Sequence, residues 1–112
     1  MTTILSIQSS VAYGHVGNSA ATFPLMRLGI EVYPVLTVHF SNHTRYPAWR
    51  GPLLAASDIA DVIRGIDERG ALARVDAVLS GYQGGEDQSS FLAFTSSLAI
   101  SAIACASFAT GF

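Results

Sequence analysis

Lysine is absent from this sequence, and its six arginines are outnumbered by eight aspartates and glutamates. Charged residues make up 12% of the 112 residues, about half of the roughly 25% that is usual in globular proteins. A protein that binds nucleic acid needs a basic surface to neutralise phosphates. The composition therefore gives no support for nucleic-acid binding.

Cysteine and targeting signals are scarce as well. A single cysteine, Cys105, excludes a disulfide bond within the chain. The sequence starts with Met-Thr-Thr-Ile-Leu, which lacks the basic start and the long apolar run of a secretory signal. We therefore expect a cytoplasmic protein with no more than one domain.

Charge is missing from residues 88–112, because every charged side chain lies between Arg27 and Asp87. Residues 1–87 are typical of an ordered α/β segment, whereas residues 88–112 are rich in alanine and serine. We expect this tail to come from a shifted reading frame or a chimeric end. Its residues 91–112 are long enough to cross a hydrocarbon core of roughly 30 Å, but no flanking Lys or Arg fixes an orientation. A membrane anchor is therefore disfavoured, while a helix packed on a sheet and a disordered tail stay open.

Short runs of aliphatic and β-branched residues predict three strands, at residues 3–8, 30–40 and 75–80. Each is bounded by polar residues or glycine, as strands usually are.

Two segments between these strands predict helices. In the first, Asn18 is the expected N-cap and Gly29 the expected C-terminal glycine. Pro24 lies inside this helix and predicts a kink or a late start. The second helix is expected to have Ser57 as its N-cap and to end before Gly70.

The alternation of strands and helices predicts an α/β fold with a three-strand parallel sheet and right-handed βαβ crossovers. Ligands bind such sheets beyond the carboxyl ends of the strands. The three predicted ends are residues 8–10, 40–46 and 80–85. Tyr82, at the third end, is either an aromatic ring stacked on a ligand or a half-buried ring.

Several short motifs allow more than one interpretation. Gly14 and Gly17 precede a helix and could bring backbone N–H groups to an anion, although a strand-to-helix turn also needs permissive residues. His39 and His43 lie four residues apart, but their irregular loop has no nearby cysteine or carboxylate, so a metal site is disfavoured. Ser9 lacks the Gly-x-Ser-x-Gly context of a hydrolase nucleophile.

Six segments occur in a characteristic order from about residue 3 to residue 84. They are Ile7-Gln8-Ser9, Gly14-His15-Val16-Gly17-Asn18-Ser19-Ala20-Ala21, Phe23-Pro24, Arg27-Leu28-Gly29, Val38-His39-Phe40-Ser41-Asn42-His43-Thr44 and Leu79-Ser80-Gly81-Tyr82. Together they resemble the N-terminal part of the pyridoxal kinases, a family of the ribokinase-like superfamily. This resemblance is more specific than any single motif, because the order and the spacing both agree.

The resemblance implies a cytoplasmic, homodimeric enzyme of vitamin B6 salvage. Such an enzyme transfers the γ-phosphoryl group of ATP, with Mg²⁺, to the 5′-hydroxyl of pyridoxal and related B6 vitamers. By position in the resembled family, Ser9 would hydrogen-bond the pyridine ring, and Thr44 would contact the substrate from the loop after the second strand. Tyr82 would pack near the ring, and Val16 and Phe40 would supply apolar walls.

The resemblance also leaves essential parts unassigned. In the family, the catalytic base and the anion hole come from a downstream Gly-x-Gly-Asp segment, which this sequence does not contain. No catalytic residue, nucleotide-binding residue or metal ligand is therefore named, and we expect this chain to be inactive as a kinase on its own. The alternative is a non-catalytic α/β remnant that serves as a binding or interaction module.

Overall fold

A parallel sheet with helices between its strands forms the framework of this computed structural model, which describes residues 1–81 and 103–105. The elements in chain order are β1 (Thr3–Val11), α1 (Asn18–Arg27), β2 (Glu31–Phe40), α2 (Ala56–Glu68), a 3₁₀ helix (Ala71–Arg74), β3 (Ala77–Ser80) and β4 (Ile103–Cys105). The sheet order is β2-β1-β3-β4, and the pairings are parallel. The α/β fold with βαβ crossovers is thus confirmed, and β1 lies between β2 and β3.

β4 extends the predicted three-strand sheet by one short strand. Its residues pair in register with Val78, Leu79 and Ser80 of β3. Three residues inside an uncharged tail have no periodicity from which a strand could be predicted. This strand lies within residues 91–112, the segment weighed above as a membrane anchor. Among the described residues, no helix is long and apolar enough to span a bilayer. Residues 82–102 lie outside the described part, so the boundary at residue 87 stays a prediction.

The start of α1 differs from the prediction. Gly17, with φ 55° and ψ −131°, is the N-cap, and no side chain caps the helix. Asn18 is the first helical residue, and its side chain is buried against the sheet, so its predicted capping role is wrong. The helix runs through Pro24 without a late start, and Pro24 is exposed, so its ring lies at the surface. Gly29 follows the helix with φ 84°, as a C-terminal glycine should.

The second helix also begins without the predicted cap. Ala55 is its N-cap and makes no side-chain capping bond, whereas Ser57 lies inside the first turn. Asp58 in this turn complements the positive end of the helix. Gly70, with φ 75°, follows the C-cap Arg69, and the predicted end before Gly70 is confirmed.

The main core lies between the sheet and α2. Its buried members come from alternate positions of the strands, from one face of α2 and from the 3₁₀ helix: Leu5, Ile7, Val35, Val78, Ile59, Ile63 and Leu72. The positions between them on β1 are polar but equally buried, as Ser6 and Gln8 show. Because successive side chains of a strand point to opposite faces, β1 has an apolar face toward α2 and a polar interior face toward the start of α1.

Candidate functional site

The carboxyl ends of three strands meet at one edge of the sheet. Val11 of β1 is paired with Phe40 of β2, and the chain beyond them stays paired, since Tyr13 N–H donates to the Ser41 carbonyl at 2.8 Å. β3 ends on the other side of β1, where the Gly81 N–H donates to the Ile7 carbonyl at 3.0 Å. The segments that carry the predicted site residues therefore converge at this edge.

A β-bulge lies opposite Ser9. Gln8 pairs with Leu36, whereas Ser10 pairs with His39, so β2 has one residue more than β1 between these pairs. Bulges of this kind interrupt the ladder and re-aim side chains, and they are common next to active sites. Sequence patterns do not indicate this bulge, because it depends on the register of two strands.

Ser9 itself is fully buried. Among the described residues, its hydroxyl is the one buried side-chain polar atom without a hydrogen-bond partner. Leaving such a group unpaired costs about 1–3 kcal/mol, and unpaired buried groups often mark a functional position. Gly17 lies directly against it, because a Cβ at position 17 would overlap the carbonyl oxygen and the hydroxyl of Ser9.

Two predicted wall residues lie together. Val16 packs against a small apolar cluster formed by Val11, Val38 and Phe40. Phe40 is 7% exposed, and its ring lies 6.4 Å from the ring of Trp49 in a tilted arrangement. The structure therefore brings Val16 and Phe40 to the same side of the carboxyl edge.

Thr44 is half-buried in the loop that follows β2. Hydrogen bonds within the loop hold its shape: Ser41 N–H donates to the Arg50 carbonyl at 2.7 Å, and Arg50 N–H donates back to Ser41 Oγ at 3.0 Å. The Asn42 amide also donates to the Ala48 carbonyl at 3.0 Å. The loop has no regular secondary structure, as predicted, but hydrogen bonds connect its two ends.

An open depression of about 300 Å³ lies in this loop and is lined by His43, Arg45 and Tyr46. The ring of Tyr46 lies 6.2 Å from that of Tyr13, which follows β1. The ring pair links the two segments that leave the sheet beside Ser9. Tyr13 is not among the residues that the sequence predicted for the site. Its position shortly after the first strand could have indicated it.

Asn18 is the second residue that sequence reasoning misjudged. Its buried amide donates to the carbonyl oxygens of Ser6 at 3.1 Å, Gln8 at 3.4 Å and Val35 at 3.1 Å. An asparagine at the start of a helix is typical of an N-cap. Its sequence position therefore predicted bonds to N–H groups of α1 instead of to carbonyl oxygens of the sheet. Tyr82 lies outside the described residues, and its predicted place near the ring stays a prediction.

The resemblance implies Mg²⁺, but we assign no described residue to it. No group of three or more His, Cys, Asp and Glu side chains in the described part of the chain could hold a metal ion.

Proteins of similar sequence are known. No protein-family model matches the chain. Pyridoxal kinase PdxY of Leifsonia xyli is 70% identical over 83 residues, which is 74% of this chain and 29% of that protein. Pyridoxal kinase PdxY of Rubrobacter xylanophilus is 74% identical over 81 residues, 72% of this chain and 28% of that protein. This chain is similar to the N-terminal part of pyridoxal kinases.

Solved pyridoxal kinases have the same arrangement of strands and helices. The enzyme from Leishmania donovani in complex with ADP and ginkgotoxin superposes with a TM-score of 0.81 at 35% identity, covering 88% of this chain and 34% of that chain. The pyridoxal kinase from Entamoeba histolytica superposes with a TM-score of 0.85 at 23% identity, which supports the fold alone. The chain spans less than a third of the length of the two curated relatives.

Proposed function

We propose that this chain forms the vitamer-binding part of a pyridoxal kinase. The enzyme would transfer the γ-phosphoryl group of ATP to the 5′-hydroxyl of pyridoxal in vitamin B6 salvage. The observation that carries this proposal is the unpartnered, fully buried hydroxyl of Ser9 at the carboxyl edge of the sheet. The sequence identity to PdxY proteins, 70% over 83 residues, supports the same assignment.

The side chains at this edge suit a flat heteroaromatic ring. A pyridine ring has two apolar faces and one polar nitrogen, which matches apolar walls beside a single hydroxyl. We assign the walls to Val16 and Phe40, which share one apolar cluster, and the nitrogen contact to Ser9. Thr44 would contact the vitamer from its loop, and Tyr82 would pack against the ring. Because Ser9 is fully buried, the groups that cover its hydroxyl at the carboxyl edge must move when the ring binds.

We assign none of the described residues to the phosphoryl-transfer half of the site. Phosphoryl transfer needs a base that orients the acceptor hydroxyl and groups that neutralise the developing charge. The sequence has no Gly-x-Gly-Asp segment, and no metal-holding group lies in residues 1–81. We therefore propose that the 112-residue chain binds a vitamer but does not phosphorylate it. A cytoplasmic location and a homodimeric whole enzyme belong to the same proposal.

Calorimetric titration of the purified chain with pyridoxal tests this function. We expect saturable binding that Ser9→Ala weakens roughly threefold to tenfold, since one hydrogen bond is lost. Ser57→Ala is the matched control, because Ser57 is exposed on α2, and it should bind like the unaltered chain. With ATP and Mg²⁺ added, no pyridoxal phosphate should form above background.

Two results would contradict the proposal. Absence of pyridoxal binding, or equal binding by Ser9→Ala, would favour the non-catalytic interaction module instead. Turnover that depends on Ser9 would show that the chain supplies more of the catalytic machinery than we assign to it.

A further inference from the structure

Asn18 has an unusual position for a residue at the start of a helix. It is only 4% exposed, and its amide points into the sheet rather than along α1. The amide nitrogen lies within hydrogen-bond distance of carbonyl oxygens from two strands, namely Ser6 and Gln8 of β1 and Val35 of β2. An amide group has two N–H donors, so three acceptors share them.

The other end of the amide continues the same network. Its Oδ1 accepts a hydrogen bond from Ser6 Oγ at 2.6 Å, and Ser6 Oγ accepts one from Gln8 Nε2 at 2.9 Å. The backbone of Gly81 lies against Gln8, since a Cβ at position 81 would be 2.7 Å from Gln8 Oε1. A chain of buried hydrogen bonds therefore runs from the first turn of α1 to Gln8, whose side chain lies beside the backbone that follows β3.

This network surrounds Ser9 without bonding to its hydroxyl. The Gln8 carbonyl, an acceptor for Asn18, belongs to the peptide that precedes Ser9. Gly17, which contacts the Ser9 hydroxyl, is bonded directly to Asn18 in the chain. The amide thus ties down both the peptide before Ser9 and the residue that packs on its hydroxyl. Buried, satisfied networks of this kind rigidify their surroundings.

We infer that Asn18 is a positioning residue that holds the Ser9 hydroxyl in the direction needed to bind the ring of a B6 vitamer. The inference rests on the proposed function, because it assumes that Ser9 contacts the ligand. Removal of the amide leaves three carbonyl oxygens without this donor and frees Gly17 to move. The hydroxyl then has more than one accessible direction, and its hydrogen bond to a ligand weakens.

A double-mutant cycle with the full chain tests this role. Pyridoxal affinity is measured by calorimetry for the unaltered chain, Asn18→Ala, Ser9→Ala and the double variant. We expect Asn18→Ala to weaken binding about threefold to tenfold and the double variant to bind no more weakly than the weaker single variant. Non-additivity is the mark of residues that act through one another, and loss of stability alone does not produce it.

Ser19→Ala is the matched control. Ser19 lies in the same turn of α1 and also ties it to β1, since its hydroxyl accepts from Val11 N–H at 3.0 Å and donates to the Val11 carbonyl at 2.8 Å. Its hydroxyl also shares a hydrogen bond of 3.1 Å with Ser10 Oγ, whereas its side chain makes no hydrogen bond to Gln8, Ser9 or Gly17. We expect its pyridoxal affinity to stay within about twofold of the unaltered chain, as for a site with no shared partner.

Amide hydrogen exchange in the absence of ligand tests the positioning role of Asn18 independently of pyridoxal binding. Asn18→Ala should exchange faster than Ser19→Ala at Gly17 and Ser9, and unchanged exchange there would overturn the positioning role. Additive losses of affinity would overturn it as well, while leaving the proposed function intact. Failure of the unaltered chain to bind pyridoxal would overturn the proposed function, and the positioning of Ser9 for a vitamer with it. If Asn18→Ala does not fold, Asn18→Ser, which retains one donor, enters the cycle in its place.

Discussion

Replacement of Gly17 by alanine tests the contact between the start of α1 and Ser9. Gly17 has φ 55° and ψ −131°, a conformation that L-residues rarely adopt and that costs about 1–3 kcal/mol. The new methyl group would overlap the Ser9 carbonyl oxygen and hydroxyl and lie 2.9 Å from the Ser9 carbonyl carbon. Overpacking of this kind typically costs a further 1–3 kcal/mol or so. We therefore expect Gly17→Ala to lower the free energy of unfolding by about 2–6 kcal/mol.

Gly29→Ala is the control that isolates the contact. Gly29 also has a positive φ, 84°, but a Cβ there would meet nothing within 4 Å, so only the backbone penalty of roughly 1–2 kcal/mol applies. Urea unfolding followed by circular dichroism gives both free energies by linear extrapolation. An equal loss in the two variants would refute the contact with Ser9. Complete unfolding of Gly17→Ala without urea corresponds to the upper end of the expected range, since small domains have about 5–15 kcal/mol in total.

The remaining predictions concern α2 and use the same unfolding assay. Ile63 is 0% exposed, so Ile63→Ala should lower the free energy of unfolding by about 2–5 kcal/mol. Val62→Ala is the control, because Val62 is 53% exposed. An effect of Ile63→Ala no larger than that of Val62→Ala would contradict the assignment of Ile63 to the core. Arg64 and Asp61 form an exposed ion pair of 2.8 Å, so Arg64→Ala should change the same free energy by less than about 1 kcal/mol. A larger loss that persists in high salt would show that Arg64 contributes by packing rather than by charge.

The order of strands and helices could be predicted from the sequence because it depends on local patterns. Aliphatic and β-branched runs predicted β1, β2 and β3, and Gly29 and Gly70 predicted where the two helices end. Each of these signals acts within a few residues, through side-chain burial or through glycine's access to positive φ. The parallel arrangement followed from the alternation, since parallel strands need a crossover connection and a helix between successive strands supplies it.

The partners of the polar residues were decided only by the tertiary structure. Asn18 and Ser57 both have the sequence context of a cap, yet one lies against carbonyl oxygens of the sheet and the other inside a helical turn. The bulge opposite Ser9 and the pairing of β4 depend on contacts between residues far apart in the chain. Local sequence determines which backbone conformations are favourable. A buried amide or hydroxyl, in contrast, bonds to whichever group the packed strands bring within reach, because an unpaired polar group in the interior is costly.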